Sequence, residues 1–215
     1  MELAKDAQGN DINLDGGYQA SRVGKSIRAW YLRTWGGVDS SDGRPYYIVG
    51  GDETPEQGYS DEITYARTSA LQSWQGERIP TYSGGLGTRL KYKNFSIDAN
   101  FYFTGGHKVY EQWAWYNMQA GRYSGMLFAM DARMKNRWQK PGDVTDVPKM
   151  IYSYSFDGGG SGNTSRWLYD GDFIRLRDLT VAFNFPKKLL GNSGIEGVNL
   201  FAKGLNLFTW TKDDL

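Results

Sequence analysis

The chain has 215 residues, enough for one large or two small domains. Its 25 Lys and Arg offset 24 Asp and Glu to a formal charge of +1, so net charge gives no support to a nucleic-acid partner. Cysteine is absent and histidine occurs once, at His107; this excludes disulfides and thiolate metal sites and leaves a single imidazole for any zinc site or Ser-His-Asp relay.

Aromatic residues make up 15% of the chain, Gly is abundant at 28 and Pro scarce at 6. The mean hydropathy of -0.60 and the lack of any run of about 18 apolar residues argue against helical membrane spans. They do not argue against a β-barrel, whose strands are half polar. No apolar h-region follows Met1, so no signal peptide is visible. The expectation is either an intracellular protein or a piece of a longer one.

Residues 1–20 read as polar and weakly structured. The stretch 23–49 reads as two extended segments around the turn-rich Asp39-Ser-Ser-Asp-Gly43. Residues 50–70 read as loop. A hairpin follows, with 82–92 paired to 95–104 across a two-residue joint at Lys93-Asn94, where Asn94 tolerates a positive φ. Apolar Leu86, Leu90 and Tyr92 alternate with Arg89 and Lys91 before the joint. Phe95, Ile97, Ala99 and Phe101 alternate with Ser96, Asp98 and Asn100 after it. Each strand is close to the ~9–11 residues of a tilted membrane strand. Tyr92 and Phe95 mark one end of the apolar face, and Tyr82 and Phe103 the other.

Residues 105–165 form a long, aromatic-rich connection, far above the usual loop length and so functional or self-structured. The Ala, Met, Gln and Arg content of 109–135 allows a short helix. Then 170–186 gives another alternating strand, with Leu179, Val181, Phe183 and Phe185 on one face and Asp178, Thr180, Ala182 and Asn184 on the other, ended by Pro186. A short connection with one turn of helix leads to the last strand, 198–211.

Alternation alone fits both a soluble β-sandwich and a barrel facing lipid. The strand lengths, the short and very long joints in alternation, and the aromatics at both strand ends favour lipid. Trp113, Trp115 and Tyr116 are candidates for substrate or partner contact through stacking, against the plainer reading that they pack the connection's own small core. The carboxylate pairs Asp170/Asp172 and Asp213/Asp214 read as solvated loop charge rather than glycosidase machinery, and His107 as a loop histidine. The glycine groups at 84–87 and 157–162 lack the Lys-Ser/Thr of a phosphate loop.

Five stretches, in order, resemble one family: 23–47 (VGKSIRAWYLRTWGGVDSSDGRPYY), 80–110 (PTYSGGLGTRLKYKNFSIDANFYFTGGHKVY), 137–149 (RWQKPGDVTDVPK, with Gln139-Lys140 departing from the usual form), 168–190 (LYDGDFIRLRDLTVAFNFPKKLL) and 198–214 (VNLFAKGLNLFTWTKDD). Together they are similar to SusC/RagA-type TonB-dependent outer-membrane transporters. The resemblance implies an all-β fold: an antiparallel transmembrane β-barrel segment, part of a larger 22-stranded barrel, with long extracellular loops. It implies that residues 1–215 are the C-terminal part of that barrel, without the plug domain, the TonB-binding segment and the last strands. It further implies TonB-dependent import of glycans or peptides across the outer membrane of a Gram-negative, Bacteroidota-like cell. A SusD-like surface lipoprotein, the TonB-ExbB-ExbD complex and outer-membrane lipid are the implied partners. No catalytic, cofactor or metal residue is expected. The readings left beside it are a soluble carbohydrate-binding β-sandwich and a secreted β-rich glycosidase.

Overall fold

The computed structural model describes residues 17–22, 24–51, 58–118, 120–121, 129–151, 162–191 and 194–213. The expectations for 1–16, for 157–161 and for Asp214 lie outside them. The chain divides into two compact units, Met1–Ile79 with Lys108–Tyr169, and Pro80–His107 with Asp170–Leu215.

The first unit holds six short strands: β1 (Gln19–Ala20), β2 (Ala29–Arg33), β3 (Trp35–Val38), β4 (Pro45–Gly50), β5 (Ser60–Thr64) and β6 (Gln72–Gly76). They form two three-stranded sheets, β1-β2-β6 and β3-β4-β5. The expected pair of extended segments over 23–49 is therefore three strands. The chain changes sheets between Arg33 and Trp35, so β2 pairs with β6 while β3 turns back onto β4. The expected loop over 50–70 contains β5, with Tyr47 opposite Thr64 and Ile48 opposite Ile63, followed by a 3-10 turn at Arg67–Ser69. Ser60-Asp-Glu-Ile-Thr64 has little strand character of its own; pairing to β4 decides its conformation.

The turn at 39–44 is built from side chains. Asp39 Oδ1 accepts from the Ser41 amide at 2.8 Å and the Ser41 hydroxyl at 2.6 Å, and Asp39 Oδ2 accepts from the Tyr65 hydroxyl. Trp138 then docks on Gly43, donating its indole N–H to Ser40 O at 3.0 Å. Lys149 N donates to Gly43 O at 3.0 Å. The stretches 23–47 and 137–149, read separately in the sequence, are thus one packed feature.

The rest of this unit comes from the long connection. It contains β9 (Lys108–Tyr110), a six-residue helix α1 (Gln112–Asn117), a 3-10 turn at Ala132–Asn136, and β10 (Leu168–Asp170), which pairs with β9. Among the described residues of 109–135 the α-helix is α1; the 3-10 turn is capped by Asp131, whose side chain accepts from Arg133 N. Ala114, Met118, Met134, Val147 and Trp167 form a buried cluster, with Tyr110 and Trp115 packed on it. Arg133 closes over this region with a two-pronged pair to Glu111 (2.8 and 3.1 Å) and a second to Asp131 at 2.9 Å.

The second unit is one four-stranded antiparallel sheet in the order β12-β11-β8-β7. Its strands are β7 (Tyr82–Tyr92), β8 (Phe95–Gly105), β11 (Phe173–Phe185) and β12 (Val198–Thr211), with a single helical turn α2 (Lys187–Leu190) after Pro186. The expected hairpin is present, with Tyr92 opposite Phe95 and Tyr82 opposite Gly105. The positive φ of its joint falls on Lys93, at 51°, not on Asn94. In tight hairpin turns the first central residue carries φ > 0 in both primed types, so the strand twist sets the strain there. Among the described residues of this unit, only Thr104 and Gly105 are buried. A single sheet with both faces open has no core of its own. The fold is all-β as expected; a closed 22-stranded barrel is not contained in these residues.

Candidate functional site

The register of the four long strands sorts their side chains into two faces. On one face the rows run straight across the sheet. Tyr92, Phe95, Phe183 and Leu200 make one row; Leu90, Ile97, Val181 and Ala202 the next; Thr88, Ala99, Leu179 and Gly204 a third. Leu86, Phe101, Leu176 and Phe208 follow, then Gly84, Phe103, Ile174 and Trp210. Between Leu176 and Asp178 the register shifts on both sides of β11, and Asn206 on β12 takes φ 50°. This bulge keeps the apolar residues on one face although their sequence parity changes from Leu179 to Leu176.

Leu86 is 64% exposed, Leu90 63%, Phe208 61% and Leu200 64%. So large a contiguous apolar surface on a sheet marks a surface made to meet lipid or protein. The 11 residues of β7 rise about 3.3 Å each. At the ~40° tilt of barrel strands this spans about 25 Å of height, the height of an outer-membrane apolar band. Aromatics sit at both ends, Tyr92 and Phe95 at the hairpin and Tyr82, Phe103 and Trp210 opposite.

The other face is largely polar and internally paired. Arg89 meets Asp98, Lys203 Nζ lies 3.3 Å from Asp178, Arg175 Nε donates to Thr209 Oγ1 at 3.0 Å, and Asn199 donates to Asn184 at 2.6 Å. Ser96, Asp98, Asn100 and Asn184 fall on this face, as the alternation predicts, and Ile97 on the other. Tyr102, Phe173, Phe201 and Leu205 also lie on the polar face, a mixture the sequence pattern did not indicate.

The aromatic candidates Trp113, Trp115 and Tyr116 are adjacent but differ in role. Trp115 packs on the buried cluster and stacks with Tyr116 at 5.2 Å. Tyr18 meets Trp115 edge-on at 6.0 Å and Tyr110 at 5.2 Å. Trp30 stacks with Tyr110 at 5.6 Å. Burial pushes the Tyr110 hydroxyl far above its usual pKa, and it donates to Gly162 O at 3.2 Å. Trp113 is 72% exposed, with its ring tilted against Tyr116 at a centroid distance of 5.9 Å. Trp115 is thus part of the packing of the long connection, whereas the Trp113 ring is open to solvent.

The carboxylates singled out earlier are engaged in the framework. Asp170 pairs with Lys212 at 2.6 Å, raising the lysine's pKa, and the Asp170 amide donates to Asp213. Asp172 accepts from Gly106 N at 2.8 Å. The His107 carbonyl accepts from Gly171 N at 2.9 Å, and its ring lies against Gly171. These residues close the base of the long connection.

No protein-family model matches the sequence. The chain is similar to TonB-dependent receptor P3 of Formosa agariphila, 26% identical over 98% of this chain and 21% of that protein. It is also similar to TonB-dependent receptor P26 of the same organism, 27% identical over 88% of this chain and 19% of that protein. Among solved structures, the RagAB peptide transporter superposes with a TM-score of 0.72 at 22% identity, over 93% of this chain and 21% of that chain. Both Formosa proteins that this chain resembles are named TonB-dependent receptors. The RagAB peptide importer in its open-open state superposes with a TM-score of 0.67, again a likeness of fold. The chain spans about a fifth of the length of these relatives.

Proposed function

We propose that residues 1–215 form part of the wall and one long external connection of an outer-membrane TonB-dependent importer, from the C-terminal part of its barrel. The observation that carries this reading is the apolar face: five rows of side chains, aligned across four strands, aromatic at both ends and about 25 Å tall. The paired polar face then lines the lumen. The open edges of β7 and β12 pair with further strands, because an unpaired edge in hydrocarbon leaves N–H and C=O groups unsatisfied at several kcal/mol each.

In this reading the protein imports a glycan or peptide, works with a SusD-like surface lipoprotein, and draws energy through TonB-ExbB-ExbD. The name of the Formosa receptors supports the dependence on TonB, and that of the RagAB peptide transporter supports a peptide as cargo. Trp113 is the residue of the aromatic trio best placed to touch substrate or lipoprotein. The chain acts by binding and passage rather than by chemistry.

Spin labels on the natural full-length protein in bilayers test the wall. A label at Ile97→Cys is expected to be quenched by oxygen, which partitions into lipid. A label at Asn100→Cys is expected to respond to a water-soluble nickel complex. The reverse pattern would overturn the reading.

A further inference from the structure

Three chain segments of the first unit converge around two arginines. Arg33 ends β2, and its Nε donates to Ala70 O at 2.9 Å. Ala70 closes the 3-10 turn that begins at Arg67, donating its N–H to Arg67 O at 3.3 Å. The Arg67 guanidinium lies against Gly162. Arg33 in turn bridges to Thr164 in parallel register and donates its N–H to Asn163 O at 3.3 Å. Gly162–Thr164 is therefore the floor on which both arginines rest.

The polar atoms here are incompletely matched. Arg67 Nε is shut off from solvent and makes no hydrogen bond among the described residues, and the same holds for Oγ1 of the fully buried Thr164. A buried donor without a partner costs about 1–3 kcal/mol. Among the described residues no carboxylate pairs with Arg33 or Arg67. Two residues beyond Thr164, Arg166 adds a third positive charge, its guanidinium stacked over Trp35 at 4.8 Å and Trp167 at 4.4 Å. Burial, then the charge of Arg67, holds Arg33 below the usual guanidinium range, and burial pushes Arg166 down to about 10. The ordinary remedy in proteins is a carboxylate; Asp146 is near enough to favour the charged form of Arg166, but the causes acting on Arg33 include none.

We propose that Arg33 and Arg67, with the Thr164 hydroxyl as a neutral donor, form a site for one oxyanion, a carboxylate or a sulfate- or phosphate-type group. Guanidinium forks match such groups in geometry as well as charge. Both arginines are half-buried. The inference depends on these residues alone and stands whether or not the chain transports anything.

The test is isothermal titration of the natural full-length protein in detergent with sodium sulfate, against sodium chloride at equal ionic strength. Saturable heat with sulfate alone is expected, weakened about tenfold or more in Arg67→Gln, since a charged hydrogen bond is lost. Thr164→Val, close in shape, is expected to weaken binding less and guards against misfolding of the arginine variant. A second arm uses a tripeptide and its C-terminally amidated form. Binding of the free acid but not the amide assigns the carboxylate of a larger molecule as the source; binding of sulfate alone assigns a free ion. Either supports the site. Binding of neither probe, or equal binding by wild type and Arg67→Gln, overturns it.

Discussion

The ring of Phe103 on β8 lies over Gly84, its direct partner on β7, so closely that a Cβ at Gly84 would meet Phe103 Cζ at 2.6 Å. Tyr82 covers Gly105 in the same manner two residue pairs along. An aromatic ring laid across a strand glycine shields backbone that the glycine leaves bare. Replacing Gly84 with Val is expected to destabilise the assembled protein by about 1–3 kcal/mol through overpacking. Phe103→Ala in the same chain is expected to recover part of that loss. A double-mutant cycle on thermal unfolding in detergent checks it, and strictly additive effects would show that the ring does not rest on the glycine.

Ile97 and Asn100 stand on opposite faces of β8. Ile97→Arg is expected to cost about 2–4 kcal/mol near the bilayer midplane, whereas Asn100→Arg is tolerated. Folding equilibria of the full-length protein into lipid vesicles measure both. Equal costs would remove the distinction between a lipid face and a lumen face.

Lys93-Asn94 is a tight joint and residues 105–165 a long connection at the other end of the same strand. Protease added to intact cells is expected to cut within 105–165 and to spare 93–94. Cleavage of that connection only after outer-membrane permeabilisation would invert the topology.

Residues 1–215 expressed alone are expected to aggregate in plain buffer. The second unit buries only Thr104 and Gly105 among its described residues, and both faces of its sheet are open. Size-exclusion chromatography with and without detergent reads the outcome. A monodisperse monomer that unfolds cooperatively without detergent would contradict the barrel reading.

Acid is expected to loosen the turn at 39–44. The Ser41 hydroxyl, then the Tyr65 hydroxyl and the Ser41 amide, hold the Asp39 carboxyl down to about 2. An unfolded Asp titrates near ~3.9. The folded pKa is the lower one, so the stabilisation is fully present above about pH 4 and fades as pH falls towards 2. Arg133 depresses Asp131 in the same sense. Because Trp138 rests on Gly43 in this turn, its fluorescence reports the change. Asp39→Asn is expected to abolish the low-pH step, and an unchanged titration would assign the step elsewhere.

Much of the sheet was legible because β7, β8, β11 and β12 are long and obey a period of two, which one open apolar face imposes on sequence. The reading weakened where pairing, not pattern, sets structure. Gln72-Ser-Trp-Gln-Gly76 and Ser60-Asp-Glu-Ile-Thr64 are strands only because β2 and β4 lie beside them. The bulge near Asp178 carries no strong local signal, yet it moves the apolar face from odd to even positions of β11. Of the aromatic trio, sequence marked the cluster but not its division, since Trp113 and Trp115 differ in what tertiary packing covers. The oxyanion site escaped notice because Arg33, Arg67 and Thr164 are far apart in the chain and meet only through the fold.

Thr104 on β8 pairs with Phe173 on β11, so everything from 106 to 172 leaves the sheet and returns to it at a single rung. Gly106 N on Asp172 and Gly171 N on the His107 carbonyl fasten that neck. To the ladder, the whole excursion is one enlarged hairpin turn. Hairpin register is fixed by the rungs beneath a turn, so the excursion can be lengthened, shortened or exchanged while β8 and β11 keep their partners. The content of the excursion and the register of the strands beneath it are thus separable: the first can be revised while the ladder, and the Gly106–Asp172 neck that closes it, stay as they are.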